Sequence, residues 1–367
     1  MKFKVMQNSL NDALSIVQRA VSAKSNLPIL KCILLEVVNN KLRLIGNDLS
    51  MGIEMFIDIE AESQGSITVS SRIFCDIVRK LPNEELNISV NNNVVKIHSN
   101  SAVFELACND SEEFPKIPDL IANQKQFINK DLFIDMIKYT IFATSQDETR
   151  PILTGSLIEI ENQQMTMVSI DLYRVAIRNA KVTEDINAKV VVPAKTLHEI
   201  LKILPLSNKN DDLIVVYSDN YIKFIFDNVV IVSRLLEGEF IKYSQIIPKD
   251  FKSKVIVDKD LLYYSIDRIS LLAKEGKNAS IKFTITDDNL KISSNVEIGA
   301  AFENIGIKLL GDDIEIGFNP KYWLDVLKVI DTEKIEIELT SSVSPCIIKP
   351  HNNSNYTYLV LPVRITH

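Results

Sequence analysis

Apolar residues along this chain alternate between two periods, and the alternation itself repeats. Met1-Lys2-Phe3-Lys4-Val5 has the period of a strand, and Leu10, Ala13, Leu14, Val17 and Val21 then follow the period of a helix. Leu42-Arg43-Leu44-Ile45 and Ser66 to Val69 read as strands, and Phe74, Ile77, Val78 and Leu81 mark a second helix. The order returns with a short strand at Gln126 to Ile128 and a later helix on Leu197, Ile200, Leu201 and Leu204. It begins a third time at Lys254 to Val257.

The copies can be aligned. Pro28-Ile29-Leu30 recurs as Pro151-Ile152-Leu153, and Glu36, Leu42 and Asp48 stay in register with Glu159, Met165 and Asp171. The third copy lacks Pro-Ile-Leu, but Ile281 to Ile285 and Leu290-Lys291-Ile292 repeat the strand pair. Leu81, Leu204 and Ile330 each close a second helix. A period of about 125 residues, repeated three times, accounts for a chain too long for one core. Proline-containing segments, Phe114 to Pro118 and Phe240 to Pro248, end the first and second copies. The expected fold class is α+β: three tandem copies of a two-helix, antiparallel-sheet domain, at residues 1–121, 126–248 and 253–367. Tandem sheets leave edge strands unpaired at the ends of the array. A head-to-tail dimer, copy one against copy three, would close a six-domain ring and remove them.

Composition, at 46% hydrophobic and 24% charged, excludes a disordered or fibrous chain. No apolar run of signal-peptide or membrane-spanning length follows the N-terminus, so we expect a cytoplasmic protein with no membrane partner. Cys32, Cys75, Cys108 and Cys346 lie far apart and read as reduced core thiols. The net charge of −7 argues against a nucleic-acid partner only as an average. Bases recur at matched places on the second helix of each copy: Arg72 and Arg79, Lys195 and Lys202, Lys321 and Lys328, with Asp76, Glu199 and Asp325 between them. Lys80 adds to the first, and Arg19, Lys138 and Arg268 are assigned to the first helices. On one helix such a pattern is an ordinary solvated face. Repeated three times and turned into a ring, it would offer phosphates a weak, sequence-neutral positive lining.

No phosphate-binding glycine loop and no Gly-x-Ser-x-Gly elbow occurs, and His98, His198, His351 and His367 show no metal-ligand spacing. Asp211-Asp212, Asp287-Asp288 and Asp312-Asp313 precede strands, where Asp serves turns. We therefore expect no catalytic residue, metal or cofactor. The alternatives are a metal-dependent nucleic-acid enzyme using these acidic pairs and a repeat scaffold that binds only proteins.

Leu27 to Leu30, Asn47 to Met51, Glu148 to Gly155, Asp171 to Ala176, Val191-Val192-Pro193, Ser233-Arg234-Leu235 with Gly238 to Pro248, Glu315 to Asn319, Ser342 to Pro345 and Leu361 to Arg364 stand in an order and spacing that is highly specific. On them the chain resembles, over essentially its full length, the bacterial beta sliding clamp family of the DNA polymerase III holoenzyme. The resemblance implies a homodimeric ring around double-stranded DNA, without sequence specificity. A clamp loader would open it, and it would tether the replicative polymerase catalytic subunit for processivity as a non-catalytic accessory subunit. Family DNA contacts would fall on Lys24, Arg72 and Gln146, beside the helix bases named above.

A groove for the short, partly apolar peptides of polymerase, loader and other clamp-binding-motif proteins would comprise Leu153, Ile170, Asp171, Leu172, Tyr173, Arg174, Val175, Ile241, Ile246, Pro345, Leu359, Val360, Leu361, Pro362, Val363 and Arg364. In it, apolar walls would bury Leu or Phe anchors, and Arg174 and Arg364 would hold the polar end. The dimer contact would set Phe104 and Leu106 against Leu271 and Leu272 of the partner copy. Departures from the family pattern are Leu172-Tyr173 where Gly-His is frequent, Leu361 and Val363 where Met flanks the proline, and Ser101 and Val103 where some members carry arginine. They imply an altered peptide preference and altered interface salt bridges.

Overall fold

The computed structural model describes residues 1–100, 102–120, 125–184, 186–207, 212–276, 279–353 and 355–364. Ser101, Asp211 and His367, named above, lie outside the described residues. The first copy runs β1 (Lys2–Met6), α1 (Gln7–Val17), β2 (Cys32–Val38), β3 (Lys41–Asn47), β4 (Met51–Asp58), β5 (Glu60–Ser63) and β6 (Gly65–Ser70). It ends with α2 (Ser71–Lys80), β7 (Glu85–Asn91), β8 (Val94–His98) and β9 (Val103–Asn109). The second comprises β10 (Lys125–Ile128), α3 (Lys130–Lys138), β11 (Gly155–Glu161), β12 (Gln164–Ile170) and β13 (Arg174–Lys181). After them come β14 (Ala188–Pro193), α4 (Ala194–Ile203), β15 (Leu213–Tyr217), β16 (Tyr221–Phe226) and β17 (Val229–Arg234). The third comprises β18 (Ser253–Asp258), α5 (Lys259–Ala273), β19 (Ile281–Thr286), β20 (Asn289–Val296), β21 (Gly299–Gly306) and β22 (Lys308–Gly311). It closes with β23 (Ile314–Phe318), α6 (Pro320–Val329), β24 (Lys334–Leu339), β25 (Cys346–Pro350) and β26 (Tyr356–Val360).

Two helices per copy form where the helical period was read, and Leu81, Leu204 and Ile330 each lie just past a second helix. Two expectations shift. Val21 lies beyond α1, and Arg19 belongs to a 3-10 turn, Gln18–Ala20, because the chain tightens once the apolar stripe of α1 is buried. The acidic pairs behave as turn residues: Asp287 takes a left-handed φ of 48° between β19 and β20, and Asp312-Asp313 link β22 to β23.

The strands pair antiparallel in three sheets, ordered β10-β15-β16-β17-β4-β3-β2-β6-β9-β8-β7-β1-β5, β14-β11-β12-β13-β26-β25-β24-β18-β22 and β21-β20-β19-β23. Consecutive copies share sheets: β17 lies on β4, and β26 lies on β13. For that reason the chain packs as two compact units that do not follow the copies, one of residues 1–130 with 198–235 and one of residues 131–197 with 236–367.

In the first unit α1 packs on α2, β3 and β4. In the second, α5 packs on α6, β20 and β21, and Phe283, Phe318 and Trp323 meet edge-to-face or tilted, with ring centroids 4.9–5.3 Å apart, in the core. All four cysteines are free and buried, and burial raises every thiol pKa, that of Cys75 to about 11. No helix among the described residues is long and apolar enough to cross a membrane.

Candidate nucleic-acid interface and partner groove

The helices α2, α4 and α6 are built alike. Each buries one stripe, Phe74 and Val78, Leu197 and Ile200, or Trp323 and Val326, and exposes a base at its second residue and again two turns on. Arg72, Arg79, Lys195, Lys202, Lys321 and Lys328 are all exposed. A cation in the first turn opposes the helix dipole, so Arg72, Lys195 and Lys321 sit where helix stability alone would disfavour them by about 0.3–1 kcal/mol. An acid stands midway in each helix. Asp76 is bonded by Arg79 at 2.5 Å and Glu199 by Lys202 at 2.7 Å, whereas Asp325 is bonded by Arg174 at 2.6 Å. Lys24 and Gln146 are exposed on matched loops that follow the first helices. Two of the bases assigned to the first helices are taken by acids: Arg19, in the 3-10 turn after α1, meets Glu199 at 3.2 Å, and Arg268 on α5 meets Glu303 at 2.7 Å. Burial, and then Lys202, lowers the pKa of His198 on α4 and so disfavours its charged form.

The two shared-sheet junctions repeat atom for atom along the backbone. In the first, Asp48 Oδ1 accepts from the N–H groups of Ser50 and Met51, and Arg234 N–H donates to Ser50 O at 2.8 Å. In the second, Asp171 Oδ1 accepts from Tyr173 and Arg174, and Leu361 N–H donates to Tyr173 O at 2.8 Å. The side chains differ. At the first junction Ile117, from the segment ending copy one, lies against Gly52, so close that a Cβ there would meet it at 2.7 Å. At the second, Val175 stands at the matched place in an apolar cluster with Leu153, Ile170 and Leu359, flanked by Ile246 and Leu361.

Arg174 apart, the sixteen candidate groove residues therefore divide into three groups. Leu153, Ile170, Val175, Leu359 and Val360 are buried and form the floor, whereas Leu172, Tyr173, Ile241 and Arg364 are exposed, with Asp171, Ile246, Pro345, Leu361, Pro362 and Val363 half-buried between them. Arg174 requires a correction. It is only 6% exposed, and its guanidinium donates to Asp171 at 2.9 Å, Asp325 at 2.6 Å and the Phe142 carbonyl at 2.7 Å, packed over the rings of Tyr322 and Phe142. Burial works against the charge, but Tyr358, Asp325 and Asp171 more than offset it and raise the pKa, so Arg174 stays cationic. Held in this way, it shapes the Asp171–Arg174 turn with all its bonds turned inward, whereas Arg364 is exposed.

Tyr322, stacked on Tyr173 with centroids 5.8 Å apart, and Phe142 were not anticipated as parts of this site. In the sequence Asp325 is only an acid between two bases. Its partner lies 151 residues away, a distance no local pattern spans.

In the first unit β9 pairs β8 over Val103 to Ala107 and β6 only at Cys108 and Asn109, leaving the other edge of Val103 to Ala107 open among the described residues. Phe104, 37% exposed, lines a hollow of about 650 Å³ with Ile73, Ile77 and Leu81, and Leu106 is half-buried. In the second unit β21 is the outer strand of its sheet, bearing Phe302 at 62% exposure, and on α5 Leu271 is exposed and Leu272 half-buried.

A threefold array of two-helix units, joined edge to edge through shared sheets and carrying matched bases on its second helices, has the architecture of the DNA clamps. Sequence models of the DNA polymerase III beta subunit match in series: the N-terminal domain over residues 1–118, the central domain over 127–242 and the C-terminal domain over 244–364. The chain belongs to the DNA polymerase III beta subunit family. It is 35% identical to the beta sliding clamp of Bacillus subtilis, over 99% of this chain and 100% of that protein. Against that of Staphylococcus aureus the identity is 32%, over 99% of both. The crystal structure of the Bacillus subtilis DNA polymerase sliding clamp superposes with a TM-score of 0.96 over 100% of both chains at 35% identity. A Thermotoga maritima DNA polymerase III beta subunit gives 0.93 over 100% of both at 28% identity.

Proposed function

We propose that this chain closes as a head-to-tail homodimer into a six-domain ring around duplex DNA and serves, without catalysing any reaction itself, as the processivity clamp of a replicative polymerase. The observation that carries the reading is the junction rule. Hairpin register makes β4, β13 and β21 equivalent strands, and likewise β17, β26 and β9. Within the chain β17 sits on β4 and β26 on β13, so the remaining equivalents, β9 and β21, are complementary edges for two copies of the chain. Transferring the register Ser233↔Met51 aligns Leu106 with Gly299 and Phe104 with Ala301 of the partner copy. That alignment buries Phe104 and Phe302, and Leu271 and Leu272 supply the apolar knobs for the hollow beside Phe104.

We read residues 1–121, 126–248 and 253–367 as the three ring segments of each copy. Their second-helix bases, with Lys24 and Gln146, meet phosphates without reading sequence. The second junction takes apolar peptides of the polymerase catalytic subunit, of the clamp loader and of other partners. Leu172, Tyr173, Ile241 and Leu361 give the apolar contacts and Arg364 the polar one. The setting is the cytoplasm. The test is retention after loading: the protein stays on circular DNA and is lost when the circle is linearised. Equal retention on linear DNA would remove the ring, and a scaffold that binds only proteins would show none on either.

A further inference from the structure

The acid midway along each second helix has a partner that changes from copy to copy, and that change ties two sites together. In α2 and α4 the acid is held by the base one turn on, Arg79 at 2.5 Å or Lys202 at 2.7 Å. In α6 the acid, Asp325, is held instead by Arg174, which belongs to the groove turn. The guanidinium has moved to get there. At the first junction the arginine facing the helix acid is Arg19, and the position matching it at the second is Phe142. At the second junction it is Arg174, whose match at the first is buried Met51. Tyr322, on the same helix, adds a face that packs on Arg174 at 4.8 Å and stacks on Tyr173. Asp325 stands one turn from both Lys321 and Lys328, so the face of the helix that offers these bases to solvent is itself bonded to the wall of the groove.

Resting on the assignment of α6 to DNA and of the turn to partner peptides, we propose that Asp325 is a positioning residue that links the two, so that duplex bound to α6 tightens peptide binding in the groove. Lys328 lies one turn from Asp325, at the spacing where α2 and α4 make their helix ion pair, and competes with Arg174 for the carboxylate. Phosphates that engage Lys328 remove the competitor and leave Asp325 to Arg174. The Leu172-Tyr173 turn is then held in one geometry before the peptide arrives, which lowers the ordering cost of binding. By linkage, peptide tightens duplex binding by the same factor.

The experiment measures anisotropy of a fluorescein-labelled synthetic hexapeptide ending in Leu-Phe, titrated with the full-length protein at low salt, with and without a saturating short blunt duplex. Duplex is expected to tighten peptide binding about fivefold. Lys328→Gln, an exposed change that leaves the fold intact, should bind peptide tightly without duplex and respond little to it. Asp325→Asn should bind peptide weakly and equally in both conditions. Equal wild-type affinity with and without duplex, or a Lys328→Gln protein that behaves as wild type, overturns the linkage. If peptide or duplex alone fails to bind, the site assignment itself falls and the linkage with it.

Discussion

The two junctions have one backbone and two sets of side chains. At the first, β17 on β4, the Asp48 turn closes over Met51, Ile117 fills the space above Gly52, and the helix acid is met by Arg19 from outside the turn. At the second, β26 on β13, the Asp171 turn carries a buried arginine, an apolar floor and two exposed side chains, Leu172 and Tyr173. Repetition supplied the scaffold, and a few side-chain exchanges on it separated a sealed joint from an open one. The lesson concerns charge as well as shape. The Arg19–Glu199 pair is part-exposed, whereas Arg174 is enclosed, so the same ion-pair chemistry acts in two environments.

The largest effect should come from breaking the enclosed pair. Arg174→Ala leaves Asp325 without its buried partner and should cost about 3–5 kcal/mol in urea unfolding, while Arg19→Ala should cost about 1 kcal/mol or less. Moving the cation to the first junction's arrangement, Arg174→Met with Phe142→Arg, should recover most of that loss; no recovery would mean that the two junctions do not solve one problem.

Next, Gly52→Val installs the second junction's side chain in the first, against Ile117. It should cost about 1–3 kcal/mol by overpacking, read by thermal melting, and an unperturbed melt would show the sealed joint to be loose. A third change tests what the second helices share: Arg72→Ala, Lys195→Ala and Lys321→Ala together should leave the melt unchanged. They should lower duplex affinity and flatten its salt dependence by about 0.9 in slope for each phosphate that the protein no longer neutralises.

The smallest effect compares the two turn tips. Leu49 takes a left-handed φ of 73° and Leu172 does not. Leu49→Gly should be neutral or slightly stabilising, because relief of the strain offsets the freedom glycine gains when unfolded. Leu172→Gly should lose about 0.5–1 kcal/mol. Equal losses at both would dissolve the distinction.

Much of this was legible in one dimension. The strand-to-helix change of period located both helices of the first copy and the second helix of the second, the repeat placed the others, and the match of Asp48 to Asp171 marked both turns. The recurring bases stood out because they occupy the same two places on three helices. Arg174 was legible as part of the site but not in its role, since an arginine beside Leu172 and Tyr173 reads as a surface residue until α6 is packed against it. Tyr322 and Phe142 carried no signal, being single aromatics in ordinary amphipathic stretches.

The sequence by itself determined the copies, their helices and the polar face of each, because these follow from side-chain periodicity within a few turns of chain. Tertiary structure alone decided that neighbouring copies share sheets and that the compact units divide the central copy, because strand pairing is chosen between segments far apart in sequence. It alone decided that Arg174 is enclosed against Asp325, for a charge takes its meaning from its depth and its partner, and both are set only when the chain has folded.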